Sequence, residues 1–313
     1  MKIPYDKTKQ YLVLLIKILV VSGAFYYIYN QLSKDDTLDL ELLTSIISKP
    51  ENSLSVILLL LLTFSNRFVE ILKWRNLSST IKPVTIAQST KQVLSALTLG
   101  IFTPNGIGEY AGKALYFDKK DTPRVIFLNM VCNGIQVIYA IVFGLLGLSI
   151  LNLFHPIVPN HYLYITYAVI AVVVTLLFFV RNFAIKGYSI QTIIKLINEI
   201  PKKKHHLNIG LAFLRYASFT HQYVILYYLF GVELPYFELL CAVSAIYLLA
   251  SSLPNFQFLE FAVKGSIAMF IFSTLGVSQW IVALVATLIW LLNIVLPVSI
   301  GSIFVLTFRL KKD

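Results

Sequence analysis

Glu109 and Lys113 lie four residues apart, one turn along the same face of a helix. Glu260 and Lys264 repeat that pair. Each pair sits in apolar sequence and follows a Pro-Asn step, Pro104-Asn105 and Pro254-Asn255. The two prolines are 150 positions apart, and the matching Glu and Lys residues are 151 apart. A charge at bilayer depth costs at least about 2.5–3.5 kcal/mol unless it is compensated. Two readings stay open. The pairs could be buried ion pairs that lock the chain at its breaks. They could also wall a polar cavity whose charges meet the headgroup of a substrate.

Other residues bear on the same choice. Asn105 and Asn255 are good N-caps after their prolines. Helices starting there would aim N–H groups and a partial positive charge at the break, which suits a phosphate or carboxylate. An ordinary Pro-Asn turn is the plainer account. Arg67 falls about 10 Å of helix before Trp74, and snorkelling to an interface accounts for it. Arg215 falls about 12 Å beyond Leu207, which is harder to excuse. The two arginines are 148 positions apart, close to the repeat shift. Such a pair is what an anionic headgroup would need. His221 and Gln222 read as an interior hydrogen-bonded pair. Asn129, Asn133 and Gln136 share one face, which suits helix–helix hydrogen bonds. Gly106, Gly108 and Gly112 allow close backbone approach; their spacing is one residue too long for a Walker A loop, and no strand precedes them.

The elements that must position these residues are helices in a membrane. The chain is 58% hydrophobic and 13% charged over 313 residues, with a mean hydropathy of +0.77. A soluble domain carries about a quarter of its residues as charges. Spans are expected at residues 11–30, 53–74, 125–151, 162–180, 207–230 and 280–306. The arms at 83–100 and 106–117, and again at 236–252 and 256–274, are each shorter than the roughly 20 residues a spanning helix needs. They read as re-entrant hairpins, which survive at that depth only when buried in protein or lining a polar cavity. Residues 188–200 could form an interfacial helix. The expectation is one all-α integral membrane domain in two repeats, about 1–153 and 154–313.

Charge orders the topology. With the N-terminus in the cytoplasm, Lys73, Arg75, Lys119, Lys120, Arg124, the basic stretch around Lys202–Lys204 and the C-terminus all fall inside. Three crossings per half invert the second half against the first, which is a transporter plan. The net charge of +11 is accounted for by these loops and does not argue for nucleic acid. Cys132 and Cys241 lie in apolar runs, and the five His show no metal-ligand spacing. Neither a metal nor another cofactor is expected, and no activated nucleophile is visible, so the chain does not read as an enzyme.

At Thr103-Pro104, Gly106, Gly108-Glu109 and Lys113, the sequence resembles the lysylphosphatidylglycerol synthase transmembrane-region family. The second break departs from it, with Phe256-Gln257-Phe258-Leu259 where that family tends to a Gly-rich turn. The resemblance implies a multi-pass protein of the bacterial cytoplasmic (inner) membrane that moves or handles a phospholipid or other polar lipid; the charge pattern expects both termini in the cytoplasm. No aminoacyltransferase domain accompanies it, so lipid synthesis is not implied. The headgroup would meet Glu109, Lys113, Glu260, Lys264, Arg215 and Arg67, with Asn105 and Asn255 at the helix tips. The alternative is a non-transporting scaffold for a separate lipid- or glycan-modifying membrane enzyme.

Overall fold

A computed structural model describes residues 48–101, 103, 106–184, 189–252 and 260–308, with positions 15, 22 and 44–46; at Glu260 and Phe261 it describes the backbone alone. The expected span at 11–30, Asn105 and Asn255 lie outside these residues. The described residues are helical, with no strand among them. In chain order they form α1 (Ser53–Ser78), α2 (Ile86–Gly100), α3 (Ile107–Ala114), α4 (Thr122–Phe154), α5 (Asn160–Phe179), α6 (Ile190–Asn198), α7 (Lys202–Leu229), α8 (Tyr236–Ser251), α9 (Glu260–Thr274), α10 (Gln279–Trp290) and α11 (Leu296–Thr307).

Four stretches are long and apolar enough to cross a bilayer: Pro50–Ser78, Lys119–Phe154, Asn160–Phe179 and Gln279–Thr307. These are the marks of a multi-pass membrane protein. Large apolar side chains such as Leu61, Phe64, Ile138, Val174 and Phe179 are exposed along them, which lipid tolerates and water does not. Helix α7 forms as expected but is not among those four. Its length suffices; Lys202–His206, Asn208, Arg215, His221 and Gln222 lower its hydropathy.

Local sequence accounts for the helix ends. Thr85 accepts a hydrogen bond from the Gln88 N–H at 3.2 Å, and the Gln88 side chain accepts one from the Thr85 N–H at 2.9 Å. This capping box starts α2 at Ile86 rather than at Pro83. Gly106, at φ +67°, is the N-cap of α3; glycine adopts that left-handed conformation without steric cost. The cap is therefore not Asn105. Pro123 in the first turn of α4 costs no intrahelical hydrogen bond.

The expected last span at 280–306 is not one continuous α-helix. It widens into a π-helical turn at Leu291–Val295. Pro297 lies four residues after Asn293 and has no N–H to give the Asn293 carbonyl. Pro297 was the signal for this break.

The helices pair in a regular scheme. Helix α1 packs along α7, α4 along α8, and α11 along α2; α2 and α3 close one hairpin, and α8 and α9 another. Glycine permits the closest of these contacts. A Cβ at Gly147 of α4 would come within 2.7 Å of the Cys241 carbonyl and 3.2 Å of Ser244 Cβ in α8. One at Gly301 of α11 would collide with the Leu94 carbonyl and the Thr98 hydroxyl of α2. Gly108 and Gly112 likewise seat α3 against Leu99 and Ala96 of α2. Gly301→Ala should therefore lower thermal stability in detergent by about 1–3 kcal/mol. Gly210→Ala, where an added Cβ has no heavy atom within 4 Å, should hold the midpoint or raise it slightly, since alanine favours helix over glycine. Equal effects of the two substitutions would contradict this packing.

Candidate functional site

Glu70 lies on α1 three residues after Arg67, and its Oε2 is 2.8 Å from Arg67 Nη1. The same oxygen is 2.8 Å from Arg215 Nη2, which arrives from α7. One carboxylate oxygen thus bridges two guanidinium groups from the two paired helices. All three side chains are largely withdrawn from solvent, at 7%, 14% and 19% exposure for Glu70, Arg67 and Arg215.

Amides and one carbonyl hold the bridge in place. Arg215 Nε donates to Asn66 Oδ1 at 3.1 Å. Arg67 Nη2 donates to the Asn293 carbonyl at 2.6 Å. That carbonyl is the one left without a helical donor by Pro297, so the arginine supplies what the proline lacks. The Asn293 side chain accepts from Asn66 and donates to Gln222 Oε1 at 3.1 Å; Gln222 in turn donates to Thr63 Oγ1 at 2.7 Å. Charged groups among apolar helices are tolerable because these bonds meet the Glu70 carboxylate and several of the guanidinium donors.

The bridge forms part of the wall of a cavity of ≈ 290 Å³. Glu109 of α3, Lys264 of α9, Asn133 and Gln136 of α4, and Asn293 also line it. Phe219, Tyr223, Tyr247 and Trp290 complete an aromatic part of the wall. Lys264 Nζ stands 4.4 Å from the centre of the Tyr247 ring. The size is at the low end for ligand pockets, roughly 300–1,000 Å³.

Of the eight residues expected to meet a substrate, Arg67, Arg215, Glu109 and Lys264 line this one cavity. Lys113 does not. It is fully buried, donates to Asn129 Oδ1 at 2.6 Å, and has its Nζ 4.9 Å from the centre of the Trp74 ring. It fixes α3 to α4 from outside the lining. The side chain of Glu260, and Asn105 and Asn255 entirely, fall outside the description.

Other expectations need correction. Arg67 does not snorkel outward; the Glu70 carboxylate and the Asn293 carbonyl hold it inside the bundle. The start of α3 is not an open anion site: the Gly108 N–H goes to Thr103 Oγ1 at 2.8 Å, and the Glu109 N–H to the Gly106 carbonyl at 2.9 Å. His221 and Gln222 diverge, His221 meeting the Tyr236 hydroxyl at 2.6 Å while Gln222 joins the buried network. The amide face of α4 does join helices, but through lysines. Asn129 accepts from Lys113, and Gln136 accepts from the fully buried Lys73 at 3.4 Å.

Glu70 is the residue that sequence reading left out of the site. Its spacing from Arg67 was the available signal; its second partner, Arg215, is 145 positions away and depends on the pairing of α1 with α7.

No family model, curated protein or solved structure matches this chain.

The two-arginine bridge makes a prediction. Arg215→Gln and Glu70→Gln should each destabilise the protein in detergent, and the double variant should lose less than their sum. A coupling energy above about 1 kcal/mol in a thermal double-mutant cycle is expected for groups in direct contact. Additive losses would contradict the bridge.

Proposed function

We propose that this protein is a flippase-like membrane transporter, or handler, of a phospholipid or other polar lipid whose headgroup occupies the cavity while its tails stay in the bilayer. One observation carries the reading. Charges from both hairpin helices, Glu109 on α3 and Lys264 on α9, meet the arginines of both central helices, Arg67 on α1 and Arg215 on α7, around one cavity. Charged groups within an apolar bundle that surround a cavity point to a polar guest.

The inverted-repeat reading has support in the packing. If α1, α2, α3 and α4 correspond to α7, α8, α9 and α10–α11, a pseudo-twofold axis would pair α1 with its own counterpart α7. It would also exchange the α4–α8 contact with the α11–α2 contact. Those pairings occur, and glycines enable both exchanged contacts, Gly147 against Ser244 and Gly301 against Leu94. Helices broken near such an axis are how many transporters build a central site. The re-entrant reading of the hairpins rests on their lengths: α2 and α8 have 15 and 16 residues, short of a full crossing. The resemblance of the first hairpin to the lysylphosphatidylglycerol synthase transmembrane-region family is a second support, and a bacterial cytoplasmic membrane with both termini inside is part of the same proposal.

Reconstitution into vesicles with a fluorescent phospholipid tests this function. Wild type should move the labelled lipid between leaflets. A folded Arg215→Ala, Lys264→Ala variant should be slower by about tenfold or more, the equivalent of a lost charge-assisted hydrogen bond. A variant as fast as wild type would remove the site assignment. No movement by wild type, with one membrane enzyme co-purifying in stoichiometric amount, would favour the scaffold reading instead.

A further inference from the structure

Among the described residues the cavity wall carries three cations against two carboxylates. Arg67, Arg215 and Lys264 line it, with Lys73 and Lys113 buried nearby. Among the described residues Glu70 and Glu109 are the carboxylates set against these five cations. Two further donors belong to the same wall. Arg215 uses Nε on Asn66 and Nη2 on Glu70; its Nη1 makes no hydrogen bond among the described residues. The Gln136 oxygen accepts from Lys73, which orients the amide, and the buried Gln136 Nε2 has no partner among the described residues. A buried donor left unmade costs about 1–3 kcal/mol, so the buried Gln136 Nε2 marks the place of an absent acceptor.

The two arginines converge on one oxygen of one carboxylate. That is also how arginines hold a phosphate oxygen. We infer that Glu70 is an internal stand-in for the phosphate of the guest: it holds Arg67 and Arg215 in the lipid-free protein, and a phosphate-bearing headgroup competes with it for them. The inference rests on the proposed function and names its substrate class, a phosphate-bearing headgroup. Arg215 Nη1 and Gln136 Nε2 give the incoming oxygens their first contacts. The phosphate then takes over Arg215 from Glu70. Glu70 keeps Arg67 on its own helix and stays within reach of Lys73. No bond other than hydrogen bonds changes. The competition also limits affinity, which a protein that must release its lipid on the far side requires.

The test compares wild type with Glu70→Gln, which keeps the side-chain shape and removes the competing charge. Each is purified in neutral detergent and its thermal midpoint followed as phosphatidylglycerol, diacylglycerol or inorganic phosphate is added. A ligand that binds only the folded state raises the midpoint in proportion to its affinity. The expected result is a lower midpoint for Glu70→Gln without lipid and a larger rise with phosphatidylglycerol. Its apparent Kd should be tighter than wild type by about tenfold or more, the effect of one charge-assisted contact. Diacylglycerol, which lacks the phosphate, should do nothing. A rise with inorganic phosphate alone would assign the cavity to the free anion rather than to a lipid.

An equal or weaker Kd in Glu70→Gln would overturn the stand-in role and leave the proposed function intact. No binding of any phosphate-bearing probe by wild type would overturn the phosphate-bearing substrate class, while lipid movement in vesicles decides the function separately. If Glu70→Gln does not fold, Glu70→Asp takes its place: a shorter carboxylate reaches both arginines less well, so phosphatidylglycerol should again bind more tightly. Unchanged affinity in Glu70→Asp would then overturn the inference.

Discussion

A carboxylate held between two arginines organises this protein. Glu70, Arg67 and Arg215 cannot be left alone in an apolar bundle, because each charge would carry a desolvation cost of several kcal/mol. Their mutual contacts bring α1 against α7 at one level, and the requirement spreads outward from there. Asn66 must hold Arg215. Asn293 must offer a carbonyl to Arg67, and it can do so because Pro297 withholds the usual donor. The amide chain through Gln222 to Thr63 continues from the same Asn293, inside the π turn.

Glycine does the complementary work of bringing backbones together. Without a strong hydrophobic drive between helices in lipid, close packing decides which helices pair. Gly144 and Gly147 let α4 reach α8, Gly301 lets α11 reach α2, and Gly108 and Gly112 fold α3 onto α2. The hairpins are thereby carried to the charged centre, where Glu109 and Lys264 join the wall. Lys113 shows the limit of that scheme: the same short helix directs one charge into the cavity and the other into a contact with Asn129.

Much of this was legible in the residues. Apolar run lengths located the helices, and the repeated Glu-x-x-x-Lys pattern located the two hairpin helices. The depth of Arg215 marked it as a group needing a partner. The rest depended on information that spacing along one chain does not hold. Glu70 did not stand out in the sequence because its second arginine comes from another helix. Lys113 read as a twin of Glu109 because i and i+4 share a face, yet an eight-residue helix packed on two sides turns its two ends toward different neighbours. The Asn293 carbonyl was invisible because main-chain groups leave no residue-type signal; only Pro297 hinted at it. Asn105 looked like a cap because asparagine caps well, whereas the left-handed φ needed there fell to Gly106.

The most direct test is a side-chain-resolution map of the protein in nanodiscs containing phosphatidylglycerol. A headgroup with its phosphate against Arg215 and Gln136, its tails outside the bundle, and Glu109 and Lys264 on the same cavity is the predicted result. Glu70 and the two arginines facing bulk water, or Glu109 and Lys264 on separate surfaces, would contradict the account.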